Sequence, residues 1–287
     1  MSNYMIFADT SLDMSRELAE KYDIHFVPMR YELGGENFVC SGLESSEFMQ
    51  SYYEKQKAGA VTHTSQVGPA LYQEVFFPHL QRGTDILYLC LSSGLSGTYQ
   101  SALMAGMDME DCPGKLYAVD SLAASAGLGL LAELAAENRE KGLSAEENAA
   151  HLEQMRLKTC HHILVDDLMY LQRGGRVSSA TAVVGSMLNI KPLLRVDEGG
   201  SLETIAKRRG LMASWKDMIS TWLANRDCSM GKVVYVPHAN CLAQAQQLKE
   251  LILQSDAEAE VRIVPLNPVI GAHTGPGMMA MAYWGTR

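Results

Sequence analysis

The amino-acid sequence predicts an α/β fold in two domains, and two features of its 287 residues carry that prediction. In the first half, short apolar runs alternate with amphipathic segments, which is typical of strands joined by helices in a mostly parallel sheet. In the second half this alternation is lost and the composition shifts near residue 160, which favours an α+β domain. We therefore expect an α/β domain over residues 1–160 and an α+β domain over residues 161–287, which abut and form a cleft.

Helix signals and apolar runs define the elements of the first half. Pro69 fits the first turn of a helix, and Gly142 ends a longer helix over Leu122–Lys141. Ser144 and Glu147 form a capping box at the start of the next helix. The remaining helices are expected after Asp13, from Ser45-Ser46 and near Ser96. The predicted strands are Tyr4–Ala8, Ile24–Tyr31, Ile86–Leu91 and Lys115–Val119.

In the second half, the Asp197-Glu198-Gly199-Gly200 turn predicts a hairpin between the strands "IKPLLRV" and "GGSLETIA". The chain is expected to end with a Gly-Pro turn into a helix. The other predicted strands are Ile163–Val165, Lys232–Val236 and Val261–Pro265. The other predicted helices are a stretch ending at Arg173–Arg176, a small-residue helix over Ser179–Leu188, Gly210–Asn225 and Leu242–Gln254.

Charge and composition exclude several classes of function. The net charge is −9 and the only tight basic cluster is Lys207-Arg208-Arg209, so we do not expect a nucleic-acid ligand. The most apolar stretch, residues 122–136, is interrupted by Ser125 and Glu133 and is too short to span a membrane. The first residues lack the pattern of a signal peptide. We therefore expect a cytoplasmic protein with no membrane segment.

The six cysteines and eight histidines do not predict a metal site. No C-x-x-C pair occurs, and reduced, buried thiols are the default interpretation. His161 and His162 are adjacent, but neighbours on a strand point to opposite faces and cannot share a metal ion. We expect no metal and no cofactor.

The segment Leu91–Ala102, "LSSGLSGTYQSA", gathers hydroxyls and glycines where a strand gives way to a helix. Ser92, Ser93, Ser96 and Thr98 add hydroxyl donors to backbone N–H groups at the positive end of the helix dipole. Gly94 and Gly97 permit a close backbone approach. The segment is typical of a site for a small anion, although an ordinary helix cap with turn glycines remains an alternative.

Similar hydroxyl-rich segments recur elsewhere. Thr64 and Ser65 precede the Pro69 helix, while Asp120, Ser121 and Ser125 follow a predicted strand. Ligands of open parallel sheets lie outside the carboxyl ends of strands, so these loops are expected to converge on one crevice. His273 lies before a Gly-Pro turn and could donate to a ligand oxygen, or could simply cap or face solvent. Seventeen methionines could line a tunnel for a flexible chain, or could fill the core.

Six segments resemble the DegV family, the fatty-acid-binding subunits of bacterial fatty acid kinase. They are "ADTSLD", "THTSQ", "LSSGLSGTYQSA", "VDSLAASAGLGLL", "DLMYLQRGGRVSSATAVVGSMLNIKPLL" and "IGAHTGPGMM", in order from the first strand to the last turn. The resemblance implies a protein that holds one long-chain fatty acid, such as palmitate, stearate or oleate, in an internal tunnel. It further implies that a separate ATP-dependent kinase converts the carboxylate to an acyl phosphate for phospholipid synthesis.

The resemblance also assigns residues. It implies that the carboxylate is bound by Thr64, Ser65, Ser93 and His273. It implies that the pocket is shaped by Gly94, Ser121, Ser125 and Arg208, and that the kinase docks at Arg173 and Arg176. The sequence departs from the pattern of its relatives at Cys40, Val67 and Ala206.

The leading hypothesis is therefore a monomeric, non-catalytic lipid carrier that presents a fatty acid to a kinase. An alternative is an esterase or acyl hydrolase with Ser93 as nucleophile, His273 as base and Asp120 as orienting residue. A third possibility is a regulatory lipid sensor, which would share the pocket but need a different partner.

Overall fold

The computed structural model describes residues 4–178 and 190–287, which form three β-sheets with helices packed on them. The small-residue helix predicted over Ser179–Leu188 lies outside the described residues. The predicted α/β fold with a mostly parallel sheet is confirmed, and the structure adds a mixed sheet and a small antiparallel one. None of the helices within the described ranges is long and apolar enough to cross a membrane.

The first sheet has four parallel strands in the spatial order β2-β1-β6-β7. Its central strands are almost completely buried because helices cover both faces, which explains their uninterrupted apolar sequences. These strands are β1 (Tyr4–Asp9), β2 (Ile24–Val27), β6 (Asp85–Cys90) and β7 (Leu116–Asp120). The helices of this half are α1 (Arg16–Lys21), α2 (Ser46–Lys57), α3 (Pro69–Leu80), α4 (Thr98–Met107), α5 (Ala126–Glu140) and α6 (Ala145–Met155).

The single strand predicted over Ile24–Tyr31 is wrong, because the chain leaves the parallel sheet at Pro28. Proline has no N–H to donate to a ladder, and the Met29 N–H donates instead to Thr10 Oγ1 at 2.9 Å. The chain then enters a small antiparallel sheet of order β4-β3-β5. Its strands are β3 (Arg30–Leu33), β4 (Glu36–Val39) and β5 (Thr62–Ser65). The segment that includes Thr64 and Ser65 is therefore a strand rather than a loop.

The helix predicted from Leu122 begins four residues later, at Ala126. Leu122 and Ser125 have φ angles of 48° and 55°, so the chain makes a sharp turn between β7 and α5. Positive φ angles are uncommon for residues other than glycine and are incompatible with a continuous helix. The turn keeps Ser125 next to the carboxyl edge of the parallel sheet.

The third sheet has six strands in the order β10-β9-β8-β13-β11-β12 and mixes parallel and antiparallel pairs. Two strands of this sheet, those that begin at Thr159 and at Val233, are each preceded by a short 3₁₀ helix. These helices are Arg156–Lys158 and Cys228–Met230. Its strands are β8 (Thr159–Leu164), β9 (Ile190–Val196), β10 (Leu202–Arg209), β11 (Val233–His238), β12 (Glu260–Pro265) and β13 (Met279–Trp284). The helices described in this half are α7 (Met169–Arg173), α8 (Leu211–Asn225), α9 (Leu242–Ser255) and α10 (Pro268–Thr274).

The end of the chain corrects a third prediction, because the Gly-Pro turn follows a helix and leads into a strand. Gly275 and Gly277 have φ angles of 74° and 82°, which end α10 and redirect the chain. The apolar run after the turn is β13, which lies between β8 and β11 and is buried along its whole length. A run with no polar face suits a strand covered on both sides.

Candidate functional site

A cavity of about 260 Å³ lies between the six-stranded sheet and the loops at the carboxyl edge of the parallel sheet. Its floor consists of alternate residues of two strands, because side chains on one face of a strand recur every second residue. These residues are His161 and Ile163 of β8, and Ala280 and Ala282 of β13. The two alanines leave space above the sheet that larger side chains would fill. The walls are mostly apolar and include Leu91, Leu171 and Val269.

Helix α10 forms one wall of the cavity and is fixed by side chains from the first half. Thr62 Oγ1 donates to the carbonyl of Ala272 at 2.9 Å, and Gln56 Nε2 donates to the carbonyl of Gly271 at 3.1 Å. These bonds add side-chain partners to two carbonyls in the last turn of the helix, where the Gly271 carbonyl also accepts from the N–H of Gly275 at 2.9 Å. Val269, Ile270 and His273 are thereby held against the cavity.

Four polar side chains, which we call the head cluster, line the cavity: Thr64, Ser96, Arg176 and His273. Thr64 Oγ1 and His273 Nε2 are 2.7 Å apart. Arg176 Nε donates to the carbonyl of Leu95, next to Ser96, at 3.1 Å. A second guanidinium nitrogen donates to the carbonyl of Gly174, a residue that packs against His273 Nδ1.

The charges of the head cluster follow from its burial. Burial, with nearby Arg176 and His63, lowers the pKa of His273 to about 3, so this imidazole is neutral at pH 7. Burial also lowers the pKa of Arg176, but guanidinium groups remain charged in proteins. Arg176 is the only Lys or Arg among the described residues that line the cavity. The head cluster therefore combines one positive charge with several hydrogen-bonding groups, which suits a small anion.

Of the serines predicted to bind an anion in the loop after β6, Ser96 lines the cavity and Ser93 does not. Ser93 is exposed, and its backbone N–H donates to Asp120 Oδ1 at 3.0 Å. Gly94 is also outside the cavity, where it packs on the β9–β10 turn: a Cβ there would lie 2.7 Å from the carbonyl oxygen of Gly199. The first part of this loop therefore joins the two halves of the molecule, and only its end reaches the cavity.

The other residues singled out in the sequence divide in the same way. Ser65 and Ser125 line the cavity, whereas Ser121 is buried in a local turn with Ala123. Arg208 is exposed and pairs with Asp217 at 2.5 Å. Arg173 is exposed and lies over the ring of Tyr170, 4.6 Å from its centroid. Neither of these two arginines lines the cavity.

Ser125 belongs to a second polar group, which we call the inner cluster: Ser125, Asp13, Asn267 and His161. Ser125 Oγ donates to Asp13 Oδ2 at 2.5 Å, and the backbone N–H of Asn267 donates to Asp13 Oδ1 at 2.8 Å. Burial raises the pKa of Asp13 to about 7, although hydrogen bonds from Ser125 and Asn267 oppose the shift. His161 Nε2 is 3.2 Å from the carbonyl oxygen of Ala124.

Sequence reasoning missed Arg176 as a cavity residue and did not assign Asp13 or His161 to the site. The spacing of the loop residues could have favoured Ser96, because a serine two residues before Thr98 is next to the start of α4. Asp13 and His161 give no comparable signal, since their proximity depends on how the two halves pack. Among the described residues, no group of three or more His, Cys, Asp or Glu side chains could hold a metal ion.

Comparison with known proteins places these features in a family. The sequence model of the DegV family, which is described as an uncharacterised protein family, matches residues 3–285. A DegV domain-containing protein of Streptococcus pyogenes serotype M3 is 38% identical over 284 residues, which cover 97% of this chain and 96% of that protein.

Several solved structures share the fold and have more than a quarter of their residues identical to this chain. A DegV family protein from Thermus thermophilus, solved in a study of its fatty acid binding, has a TM-score of 0.85 and 28% identity, over 98% of this chain and 99% of that chain. DegV from Bacillus subtilis, described as a fatty acid binding protein, has a TM-score of 0.85 and 28% identity over the full length of both chains. Since the family model covers nearly the whole sequence, this chain belongs to the DegV family.

Proposed function

We propose that this protein binds one long-chain fatty acid, with the carboxylate at the head cluster and the hydrocarbon chain in the apolar part of the cavity. The observation that carries the proposal is the presence of one charged group, Arg176, in the wall of an otherwise mostly apolar cavity. A ligand that complements this arrangement has a negative head and an apolar tail. The two fatty-acid-binding relatives of known structure support the same ligand class.

The head and the tail contribute differently to binding. Each methylene group removed from water contributes about 0.8 kcal/mol, so a long chain supplies most of the affinity. Hydrogen bonds to a charged group contribute ~1.5–3 kcal/mol each, against the cost of removing the carboxylate from water. The head cluster therefore mainly fixes the position and orientation of the carboxylate.

The neutral state of His273 is important for this role. A neutral imidazole offers one donor and one acceptor. If Nε2 carries the hydrogen, it donates to Thr64 Oγ1, and the Thr64 hydroxyl hydrogen is then available to donate to a ligand. Arg176 then provides the charge, and Thr64 and Ser96 provide directed hydrogen bonds. This division suits a carboxylate, which accepts hydrogen bonds through two oxygens.

The finer part of the proposal is that the bound acid is presented to a separate ATP-dependent kinase, without catalysis by this chain. Ser65 and Gln66 line the cavity yet are exposed, which supports an opening beside the head cluster. Arg173 is exposed three residues from Arg176 and is suited to contact a partner at that opening. We also propose that the carrier acts as a monomer.

The alternative hydrolase has no support in the geometry. Ser93 is exposed and bonds Asp120 through its backbone, whereas His273 bonds Thr64. A nucleophile and its base must lie within hydrogen-bonding reach of each other, and these two residues have other partners.

The first experiment measures fatty acid binding in matched arginine variants. Arg176→Met should weaken octadecanoic acid binding by about tenfold or more, because a charged hydrogen-bonding partner is lost. Arg173→Met, which removes an exposed arginine outside the cavity, is the control and should leave the affinity within about twofold. Failure of the unmodified protein to bind octadecanoic acid, or to yield lipid on denaturation and extraction, would contradict the proposal.

The second experiment tests presentation to the kinase. The loaded protein is incubated with a bacterial fatty acid kinase and ATP, and acyl phosphate is trapped with hydroxylamine. Arg173→Met should lower the rate of acyl hydroxamate formation while leaving fatty acid binding intact. If the loaded protein gives no product with the kinase, the carrier role is wrong, whereas the proposal of lipid binding still stands.

A further inference from the structure

The inner cluster places polar groups inside a cavity that is otherwise suited to a hydrocarbon chain. Ser125 and His161 line this cavity, and Asp13 and Asn267 hold Ser125 from behind. The head cluster does not need these groups, since it already supplies the partners of a carboxylate. A hydrocarbon chain offers them nothing in return, so their presence points to a second polar group on the ligand.

The inner cluster and the head cluster lie at opposite ends of α10. Asn267 is the N-cap of the helix and its backbone N–H bonds Asp13, whereas His273 lies in the last turn and bonds Thr64. His273 lies six positions after Asn267, which corresponds to about 9 Å along the helix axis. A ligand whose carboxylate lies at the head cluster would reach the inner cluster with the middle of its chain.

The hydrogen bonds within the inner cluster determine what it can accept. The Ser125 hydroxyl donates to Asp13, so its oxygen is left with acceptor capacity. His161 Nε2 faces the carbonyl of Ala124, which only accepts, so Nε2 carries the hydrogen and Nδ1 is the acceptor. His161 Nδ1 is buried and has no hydrogen-bond partner among the described residues. The inner cluster therefore presents acceptors, and its complement is a hydrogen-bond donor.

The backbone of Ser125 adds an independent observation. Its φ and ψ angles are 55° and −131°, a region that residues other than glycine rarely occupy. Its N–H donates to the carbonyl of Ser11 at 3.0 Å, which holds the residue in this conformation. Such strained conformations concentrate at sites that grip ligands. The Ser125 hydroxyl, which also bonds Asp13, is thereby held in a fixed position at the cavity.

From these observations we infer that the inner cluster selects long-chain fatty acids that carry a hydroxyl group in the middle of the chain. The hydroxyl donates to Ser125 Oγ. An oxo group at the same carbon accepts only and is not favoured. The inference rests on the proposed function, because it requires the carboxylate to lie at the head cluster.

The test measures competition for the intact protein between octadecanoic acid, a series of hydroxyoctadecanoic acids substituted at successive mid-chain carbons, and the matching oxo acids. Each acid displaces the same fluorescent fatty acid. One mid-chain hydroxy acid should bind roughly fivefold more tightly than octadecanoic acid, as one added hydrogen bond allows. The oxo acid of the same position should bind no better than octadecanoic acid.

Two variants separate the inner cluster from the head cluster. Ser125→Gly removes the hydroxyl and suits the backbone angles, so the preference for the hydroxy acid should disappear. Thr64→Val removes a hydrogen bond to the carboxylate, which both acids carry. It should therefore weaken the binding of both acids by the same factor and keep the preference for the hydroxy acid. If Ser125→Gly keeps the preference, the assignment to the inner cluster is wrong.

The outcomes distinguish this inference from the proposed function. If octadecanoic acid binds but no mid-chain hydroxy acid binds more tightly, the inference is overturned and the proposed function stands. If the oxo acid is favoured as strongly as the hydroxy acid, the donor requirement is wrong and the inference is again overturned. If none of these acids binds, the proposed function itself fails.

Discussion

Ser93 and Ser96 lie three residues apart, and their surroundings give them different roles. Ser93 is exposed beside the contact between the loop after β6 and the β9–β10 turn, whereas Ser96 lines the cavity and caps Thr98 with its hydroxyl. Ser92 Oγ donates to the carbonyl of Gly200 at 2.7 Å, which fixes the first part of the loop to the second half of the molecule. The position of a serine within this loop therefore decides whether its hydroxyl fixes the loop to the rest of the protein or faces the cavity.

The first prediction compares these two serines. Ser96→Ala should lower the affinity for octadecanoic acid by about fivefold to tenfold, because one hydrogen bond to the carboxylate is lost. Ser93→Ala is the matched control and should change the affinity by less than about twofold. Isothermal titration of both variants decides the matter, and a larger loss in Ser93→Ala would contradict the head cluster as described.

The second prediction concerns pH and His273. The folded protein keeps this imidazole neutral down to a pKa of about 3. The unfolded chain protonates it near pH ~6.5, so the unfolded state binds an additional proton below that pH. The stability due to His273 is complete above pH ~6.5 and is lost progressively as the pH falls towards 3.

His273→Gln removes this titration. At about pH 5, the variant should be about 2 kcal/mol more stable relative to the parent protein than it is at about pH 7.5. Urea unfolding at the two pH values gives the difference, with His63→Gln at an exposed neighbouring position as the control. An equal effect of His273→Gln at both pH values would show that the imidazole titrates normally in the folded protein.

At the scale of elements, the sequence predicts what depends on local chemistry. The capping box at Ser144, the proline at the start of α3 and the apolar runs of the parallel sheet are all visible in a linear sequence. Two elements are mispredicted for local reasons: Pro28 ends a ladder, and the turn before α5 needs positive φ angles. The inner cluster is invisible in the sequence, because Asp13 and Asn267 are 254 positions apart.

The third prediction concerns the attachment of α5 to the six-stranded sheet. Glu133 of α5 is buried and bonds Arg262 Nη1 of β12 at 2.6 Å, and it also accepts from the hydroxyl of Tyr235. Removal of one partner of a buried ion pair leaves an uncompensated charge, which typically costs ~3–5 kcal/mol. Arg262→Met should therefore lower the free energy of unfolding by about 3 kcal/mol.

The control and the rescue for this prediction are available in the same chain. Arg195→Met breaks an exposed pair with Glu203 and should cost less than about 1 kcal/mol. Combining Arg262→Met with Glu133→Leu should restore most of the loss, since an apolar pair replaces the buried charge. Chemical denaturation of the three variants checks both expectations, and equal losses for the buried and exposed arginines would refute the first.

At the scale of the whole molecule, the cavity exists because the two halves do not close completely on each other. The loops of the parallel sheet and α10 provide the walls, while the six-stranded sheet provides the floor. Ala280 and Ala282 have small side chains and so leave space above this face of the sheet. Met281, which lies between them in the sequence, packs on the other face. The space for a ligand is therefore determined by small residues at alternate positions of one strand.

The fourth prediction fills this space. Ala280→Met should exclude two or three methylenes of a bound chain and weaken octadecanoic acid binding by about 2 kcal/mol, or roughly thirtyfold. Shorter acids should lose less, because they do not occupy the filled part. Met281→Leu, a volume-conserving change on the opposite face, is the control and should leave binding intact. Equal losses for short and long acids would place the chain elsewhere.

The walls of the cavity come from both halves of the chain, so a bound ligand would strengthen the contact between the two halves. A hydrocarbon chain that contacts both halves at once completes a shared apolar interior, much as an additional core side chain would. Any ligand that binds only the folded state stabilises it, by about 2.7 kcal/mol at a hundredfold excess over the dissociation constant. If a fatty acid is bound as proposed, the empty protein should therefore be less stable than the loaded one, and the amide hydrogens beside the cavity should exchange with solvent faster in the empty protein.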